Sequence, residues 1–365
     1  MHDQPAPLTP PSTSAPAPLE EGYERGPLPR RPRVLFMGTP EFAVPALSAL
    51  LEWGAEVVGV VSQPDRPKGR GKQVQRTPVA ARADEAGLPV FQWARLSNES
   101  YAALSALAPD LAVVIAYGKL LPRRYLALPR WGCVNLHASL LPSYRGAAPI
   151  QWSVIKGERA AGVSVMRLDE GMDTGGVALT RALEVGARET AGALHDRLSL
   201  LAAEALREAL GAWVDAPLTF TPQDHARASH APMLAKEDGL LRWERPALEL
   251  ARLARGVHPW PGAYTELPEG ALKVHACEEM SEEELLRAHP SAAPLPPGAV
   301  VEAAGAGPLV RCGEGALRLT SVQRPSRGAV SGADFCRGYP LCVGAPLSAP
   351  APLSAGASPT APSDR

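Results

Sequence analysis

The chain lacks the features of an exported or membrane-spanning protein. Its 365 residues contain no apolar run near the 18 or so needed to cross a bilayer as a helix, and the N-terminus lacks the apolar segment of a signal peptide. Cysteine is scarce. Cys133, Cys277, Cys312, Cys336 and Cys342 form no C-x-x-C pair, and their odd number leaves one unpaired in any disulfide scheme. A reducing compartment suits such a chain, so a cytoplasmic location is expected ahead of an organellar matrix. Net charge is nearly absent: 37 basic against 38 acidic residues give −1. A polyanionic partner would therefore have to be met by a local basic patch. No His and Cys spacing fits a metal centre, no nucleophile elbow supports Ser-His-Asp hydrolysis, and no G-x-G-x-x-G supports dinucleotide binding. Gly38-Thr39-Pro40 reads either as a strand-to-helix turn, with Thr39 as N-cap and Pro40 at the first helical position, or as part of the rim of an active site.

Proline, by contrast, is abundant, and nine of its 39 residues fall within residues 1–32 among Ser, Thr, Ala and Glu. That composition predicts a disordered extension. Glu20, Glu21 and Glu24 argue against a transit peptide, which avoids acids. Residues 348–365 repeat the bias and are expected to form a disordered tail. Between them, apolar β-branched runs at 33–37, 55–62, 88–92, 111–117, 132–137 and 163–168 alternate with helical segments. This pattern predicts an α/β domain with a doubly wound, mostly parallel sheet over 33–213. Leucines at 194, 198, 201, 206 and 210 mark a long helix that closes it. A polar stretch, 214–235, reads as a linker. The remainder, 236–347, holds one clear helix over 246–257 and short strands near Tyr264, Leu272, Val300, Val310 and Leu317, spaced by Gly and Pro as in a small β barrel. No internal repeat is evident.

The richest stretch is Val134-Asn135-Leu136-His137-Ala138-Ser139-Leu140-Leu141-Pro142-Ser143-Tyr144-Arg145-Gly146, followed by Gly171-Met172-Asp173-Thr174-Gly175. Side chains alternate along a strand, so Asn135 and His137 share a face at its carboxyl end, where open parallel sheets bind their ligands. Asp173 lies in a loop too poor in apolar residues to be core and is suited to orient an imidazole. A lone histidine at a strand end is usually structural; the Asn-x-His pair, the Ser-Leu-Leu-Pro turn and the Gly-x-Asp-x-Gly loop together favour chemistry. Arg145 reads equally as a surface residue or as a seat for a polyanion. The connection 64–77 sets Arg66, Lys68, Arg70, Lys72 and Arg76 against Asp65 alone. It is either a solvated loop or one that orders on an anionic partner. His258-Pro259-Trp260-Pro261 reads as a rigid turn that places Trp260 in the core. Arg252, Arg255, Arg311, Arg318, Arg324 and Arg327 scatter positive charge that RNA phosphates would attract.

These segments, with Met37-Gly38-Thr39-Pro40-Glu41-Phe42-Ala43, the run 63–72, Ala116-Tyr117-Gly118 and the His-Pro-Trp-Pro turn, resemble the folate-dependent formyltransferases over about 33–347. The run Gln63-Pro64-Asp65-Arg66-Pro67 is particular to those acting on tRNA. The resemblance implies a C-terminal OB-like β-barrel domain that binds tRNA. It also implies formyl transfer from 10-formyltetrahydrofolate, used as a co-substrate without a metal, to the α-amine of methionine on initiator tRNA. Asn135, His137 and Asp173 would be catalytic. Ser139, Leu140, Leu141 and Pro142 would line the folate pocket, and Arg66, Lys68, Arg70 and Lys72 would meet the tRNA acceptor end. Near 324–330 the family commonly carries two lysines, where this chain offers mainly Arg327. The chain is expected to act as a monomer, without a membrane partner. The alternatives are a formyltransferase for a small-molecule amine and a non-catalytic RNA-binding protein on the same fold.

Overall fold

Strands with apolar residues on both faces must be covered on both faces, and the N-terminal half follows that logic. In the computed structural model, which describes residues 26–68 and 73–348, the strands are β1 (Arg33–Gly38), β2 (Glu56–Ser62), β3 (Arg66–Lys68), β4 (Gln73–Gln75), β5 (Val90–Gln92), β6 (Leu111–Ile115), β7 (Cys133–His137), β8 (Arg145–Gly146), β9 (Ala160–Arg167) and β10 (Val177–Glu184). Seven of them form one sheet in the order β10-β9-β7-β6-β1-β2-β5. β1 pairs in parallel with β2 and β6, β2 with β5, and β6 with β7. All five residues of β6, and all but the first residue of β1 and of β2, are buried. The chain builds β2 and β5 on one side of β1 and then returns to build β6 and β7 on the other. The carboxyl ends of β1 and β6 are thus the switch point at which such sheets open a crevice.

By density of contacts the chain divides into two units. The first comprises residues 1–136, 165–178 and 206–222; the second comprises 137–164, 179–205 and 223–365. The division passes through β7, β9 and β10 and through the helix Ala191–Asp215. In the first unit, Leu28 is buried and its amide donates to the Trp213 carbonyl, while the Trp131 indole donates to the Gly26 carbonyl. Residues 26–32 are therefore packed, which corrects the expectation of disorder to residue 32; residues 1–25 and 349–365 lie outside the described residues. The supposed linker is also ordered: the Arg167 guanidinium lies 4.3 Å from the Phe220 ring centroid, and Val177 and Thr221 form a β bridge.

The second unit holds β11 (His230–Ala231), β12 (Ala263–Leu267), β13 (Gly270–Met280), β14 (Val300–Glu302), β15 (Leu309–Arg311), β16 (Ala316–Gln323) and β17 (Ala329–Ser331). β12 to β17 form one six-stranded sheet whose pairings are antiparallel, in the order β12-β13-β16-β15-β14 with β17 beside β16. This is the antiparallel architecture expected of the OB-like β-barrel domain. Leu272, Val274, Val310, Leu317, Leu319 and Val322 fill its core with Leu250 and Leu253 from the amphipathic helix Ala247–Gly256. That helix crosses Pro149–Lys156 closely. A Cβ on Gly256 would come 2.4 Å from Ile155 Cγ1 and 3.0 Å from the Gln151 carbonyl oxygen, so only glycine permits the approach. Trp260 is 58 % exposed, which overturns its assignment to the core. Among the described residues no helix is long and apolar enough to cross a membrane.

Candidate functional site

β7 ends in the sequence Asn-Leu-His, and the structure separates the exposure of its two polar residues. Asn135 is half-buried, whereas Leu136 and His137 are buried. Asn135 belongs to the first unit and His137 to the second. The His137 imidazole Nε2 lies 2.9 Å from the Tyr144 carbonyl oxygen. A carbonyl only accepts, so Nε2 carries a proton. Tyr144 holds that carbonyl with φ +60°, a left-handed backbone that bulky residues rarely adopt, and its amide donates to Ser229 Oγ at 2.9 Å. Such strain marks a segment held in place by its surroundings. Burial pushes the Tyr144 phenol above its ordinary pKa, with further help from its hydrogen bond to Glu158.

The turn after His137 is internally bonded. Ser139, expected to keep its hydroxyl for a ligand, is buried and donates to the Ser143 carbonyl at 2.6 Å. Its own carbonyl accepts from Ser164 Oγ, which in turn accepts from the Leu141 amide. The role of Ser139 in the turn is thus to fix it, while Leu140, Leu141 and Pro142 remain half-buried. Arg145 is neither a surface residue nor open to a substrate. It is 5 % exposed, gives Nε and Nη2 to Gln223 Oε1 at 3.1 and 2.7 Å, and lies 3.3 Å from His225 Nδ1. β8 and β11 run parallel beside this contact. Gln223 and His225 had no motif to reveal them, because their role appears only when a distant segment pairs with the turn.

Asp173 lies in the first unit on the loop after β9, half-buried, with φ +54°. The loop is shaped by Asp169, whose Oδ1 accepts from the Gly171 amide at 3.0 Å and from Thr174 Oγ1 at 2.6 Å. The Asp-x-Gly spacing is the sequence signal for such a turn, and it was missed. A Cβ on Gly175 would come 2.0 Å from the Arg167 carbonyl oxygen, so the second glycine of the loop is required by close approach. The Leu168 amide donates to the Cys133 carbonyl, which ties the start of this loop to β7 two residues before Asn135.

At the switch point, Thr39 does not cap a helix. Its hydroxyl donates to the Tyr117 carbonyl and accepts from the Gln63 amide, joining the loops that follow β1, β2 and β6. The connection 64–77, expected to be irregular, contains the antiparallel pair β3–β4. Asp65 closes both of its ends, accepting from the Thr77 amide at 3.1 Å, from Gln92 Nε2 at 2.7 Å and from Arg76. Burial alone would raise the Asp65 carboxyl, but those bonds, led by Gln92, hold it below the usual carboxylate range. Arg76 also binds Asp84, so it serves the loop's base. Arg66 is exposed. Arg70 and Lys72 lie outside the described residues, as does the side chain of Lys68.

Of the six arginines scattered over the C-terminal segment, four face carboxylates: Arg255 with Glu279, Arg311 with Glu282, Arg318 with Glu302 and Arg324 with Glu269. Their charges are locally balanced by these acids. Among the described residues no group of three or more His, Cys, Asp or Glu side chains is placed to hold a metal.

Comparison with known proteins is specific. The methionyl-tRNA formyltransferase of Geobacter metallireducens is 44 % identical over 306 residues, covering 84 % of this chain and 95 % of the relative. That of Sorangium cellulosum is 46 % identical over 310 residues, covering 85 % and 97 %. Among solved structures, the sugar 3N-formyl transferase WlaRD, crystallised with dTDP and 5-N-formyl-THF, matches 82 % of this chain and all of its own with a TM-score of 0.58 at 11 % identity. HypX from Aquifex aeolicus in complex with tetrahydrofolic acid matches 84 % of this chain with a TM-score of 0.53 at 16 % identity, and the chain spans about half of that protein (47 %). At such identities the structural likeness speaks for the fold alone. Residues 32–210 match the family described as formyl transferase and residues 233–340 match the formyl transferase C-terminal domain, so the chain belongs to the formyl transferase family.

Proposed function

We propose that this chain transfers the formyl group of 10-formyltetrahydrofolate to the α-amine of methionine esterified to initiator tRNA, in the cytoplasm and as a monomer. The observation that carries the reading is the match of both the N-terminal and the C-terminal family segments at 44 % identity to a methionyl-tRNA formyltransferase across nearly its whole length. A small-molecule formyltransferase would not need the basic run Arg66, Lys68, Arg70 and Lys72.

The neutral amine attacks the formyl carbon and a tetrahedral intermediate forms with negative charge on the formyl oxygen. The Asn135 amide donates to that oxygen, and His137 acts as an imidazolium: its Nε2 proton stays on the Tyr144 carbonyl, while the proton on its other ring nitrogen gives charge-assisted help and passes to the departing folate nitrogen. The C–N bond to folate then breaks. Asp173 accepts the proton lost by the amine, directly or through water. Leu140, Leu141 and Pro142 form the apolar side of the folate pocket, and Ser139 fixes their turn. Arg66, Lys68, Arg70 and Lys72 meet the acceptor end of the tRNA. The domains that carry these roles are the catalytic segment 33–213 and the tRNA-binding segment 236–347.

The test is to incubate the protein with the formyl donor and with charged initiator or elongator tRNA, following the formation of formylmethionyl-tRNA. Formylation confined to the charged initiator is expected. Equal formylation of a free amino sugar or ribonucleotide amine, with none on tRNA, would replace this reading by the small-molecule one.

A further inference from the structure

The cations at the carboxyl edge of the parallel sheet fall into two kinds. Arg76 is consumed by Asp84, Asp65 and Gln92. Lys119 and Arg66 are not. Lys119 sits in the loop after β6, half-buried, and its ammonium donates to the carbonyls of Trp93 at 2.9 Å and Ala94 at 2.7 Å. Two of its three protons are thus taken by neutral acceptors, and no carboxylate faces it among the described residues. Arg66, on β3, makes no side-chain hydrogen bond or ion pair among the described residues.

The loops carrying these two cations are laced together. Gln63, three residues before Arg66, donates through Nε2 to the Tyr117 carbonyl, two residues before Lys119. Gln92, just before Trp93, donates to the Gln63 carbonyl at 2.8 Å. Leu120 beside Lys119 is 71 % exposed, so an apolar side chain accompanies the charge. Two like charges held on interlocked loops, with no neutralising acid among the described residues, oppose folding. Burial, and then the nearby Arg66 guanidinium, lower the Lys119 pKa, as expected of a cation placed beside another.

We propose that Lys119, a residue outside every motif that led to the functional reading, joins Arg66 in seating a backbone phosphate of the tRNA substrate. The proposal rests on the tRNA-formylating reading and extends it by a contact outside the basic hairpin. Lys119 is held by two carbonyls, so its ammonium is pre-positioned and loses little side-chain freedom on contact. Leu120 would then border the phosphate with apolar surface suited to a ribose or base face.

The experiment is a salt titration of tRNA binding for the wild type, Lys119→Met, Lys119→Arg and Arg66→Gln, with tetrahydrofolate binding followed by fluorescence on the same samples. Lys119→Met and Arg66→Gln are each expected to weaken tRNA binding about fivefold. Each should flatten the dependence of log affinity on log salt by roughly 0.7 to 0.9, the signature of one lost phosphate contact. Lys119→Arg should restore the slope, and tetrahydrofolate binding should stay at wild-type strength. Lys119→Met also breaks the ties to Trp93 and Ala94; Arg66→Gln breaks none, so a purely structural loss would not give both variants the same slope change. Unchanged slopes in both variants would overturn the proposal, as would a loss of tetrahydrofolate binding in place of tRNA binding, since the pair would then serve the donor's carboxylates. Wild-type protein that binds tRNA with this salt dependence but formylates no charged tRNA would defeat the functional reading while leaving the phosphate seat standing.

Discussion

At the scale of single residues, hydrogen-bond donors fix what each group can do. His137 offers its Nε2 proton to the Tyr144 carbonyl, and that carbonyl is aimed by a left-handed backbone that Ser229 supports. Removing the imidazole in His137→Ala, or the amide in Asn135→Ala, is expected to lower turnover by about a hundredfold or more, the usual loss for an acid/base group or an oxyanion donor. Steady-state formylation checks this, and near-normal turnover in His137→Ala would remove it from the mechanism. Tyr117 presents the opposite case. Its ring is 2 % exposed in the core near Met37 and Tyr125, and its hydroxyl has no hydrogen-bond partner among the described residues. Burial pushes that phenol up to about 12. Replacing it with phenylalanine removes an unsatisfied polar atom and keeps the ring, so Tyr117→Phe is expected to gain about 1 kcal/mol. A urea melt that shows a loss instead would mean the hydroxyl has a partner in solution.

At the scale of elements, apolar pattern was legible wherever burial alone decides structure. β1, β2, β6 and β7 and the helix Ala191–Asp215 lie within a few residues of where their β-branched runs and leucine spacing put them. β10 was missed, since Thr180, Arg181 and Glu184 break its apolar character, as a half-exposed edge strand allows. The β3–β4 pair was missed for a related reason, because its stability comes from the Asp65 bonds and not from any buried face. Trp260 was misplaced because a large aromatic between prolines reads as core when only hydrophobicity is counted. The C-terminal sheet offers a test of an element held by charge. Glu282 accepts from both Nη atoms of Arg311 and from the Gly315 amide, and these bonds, led by Arg311, hold its carboxyl below the usual range. A carboxyl depressed in the folded state contributes stability above its unfolded pKa and loses it as pH falls through the folded one. Glu282→Gln should therefore melt below wild type at pH 7, by roughly 1 to 2 kcal/mol after allowance for its partial exposure. The two proteins should converge as the pH falls through the acid range. A gap that persists at low pH would assign the effect to packing.

At the scale of the whole molecule, the division of labour was legible from composition, while the joints between segments were not. The order of an α/β half and an antiparallel C-terminal half followed from apolar periodicity and from Gly and Pro spacing. Contacts such as Arg145 with Gln223 and His225 link residues nearly eighty positions apart, and no local pattern announces them. The same blindness applies to the start of the folded chain. Composition placed it at Arg33, because 26–32 continue the proline-rich bias, yet Leu28 is 3 % exposed and its amide pairs with Trp213, itself buried. The Trp131 indole would lose its acceptor with Gly26. Burying one leucine contributes about 1.5 to 3 kcal/mol, and in a domain of this size each kcal/mol moves the melting point by roughly 2 to 4 °C. A truncation that begins at Arg31 is thus expected to melt about 3 to 12 °C below one that begins at Gly26. Leu28→Ala in the longer protein should reproduce most of that loss, which separates the packed side chain from the lost backbone bonds. Equal melting of the two truncations would show that 26–30 contribute nothing to the first unit and that Arg33 is where the fold begins.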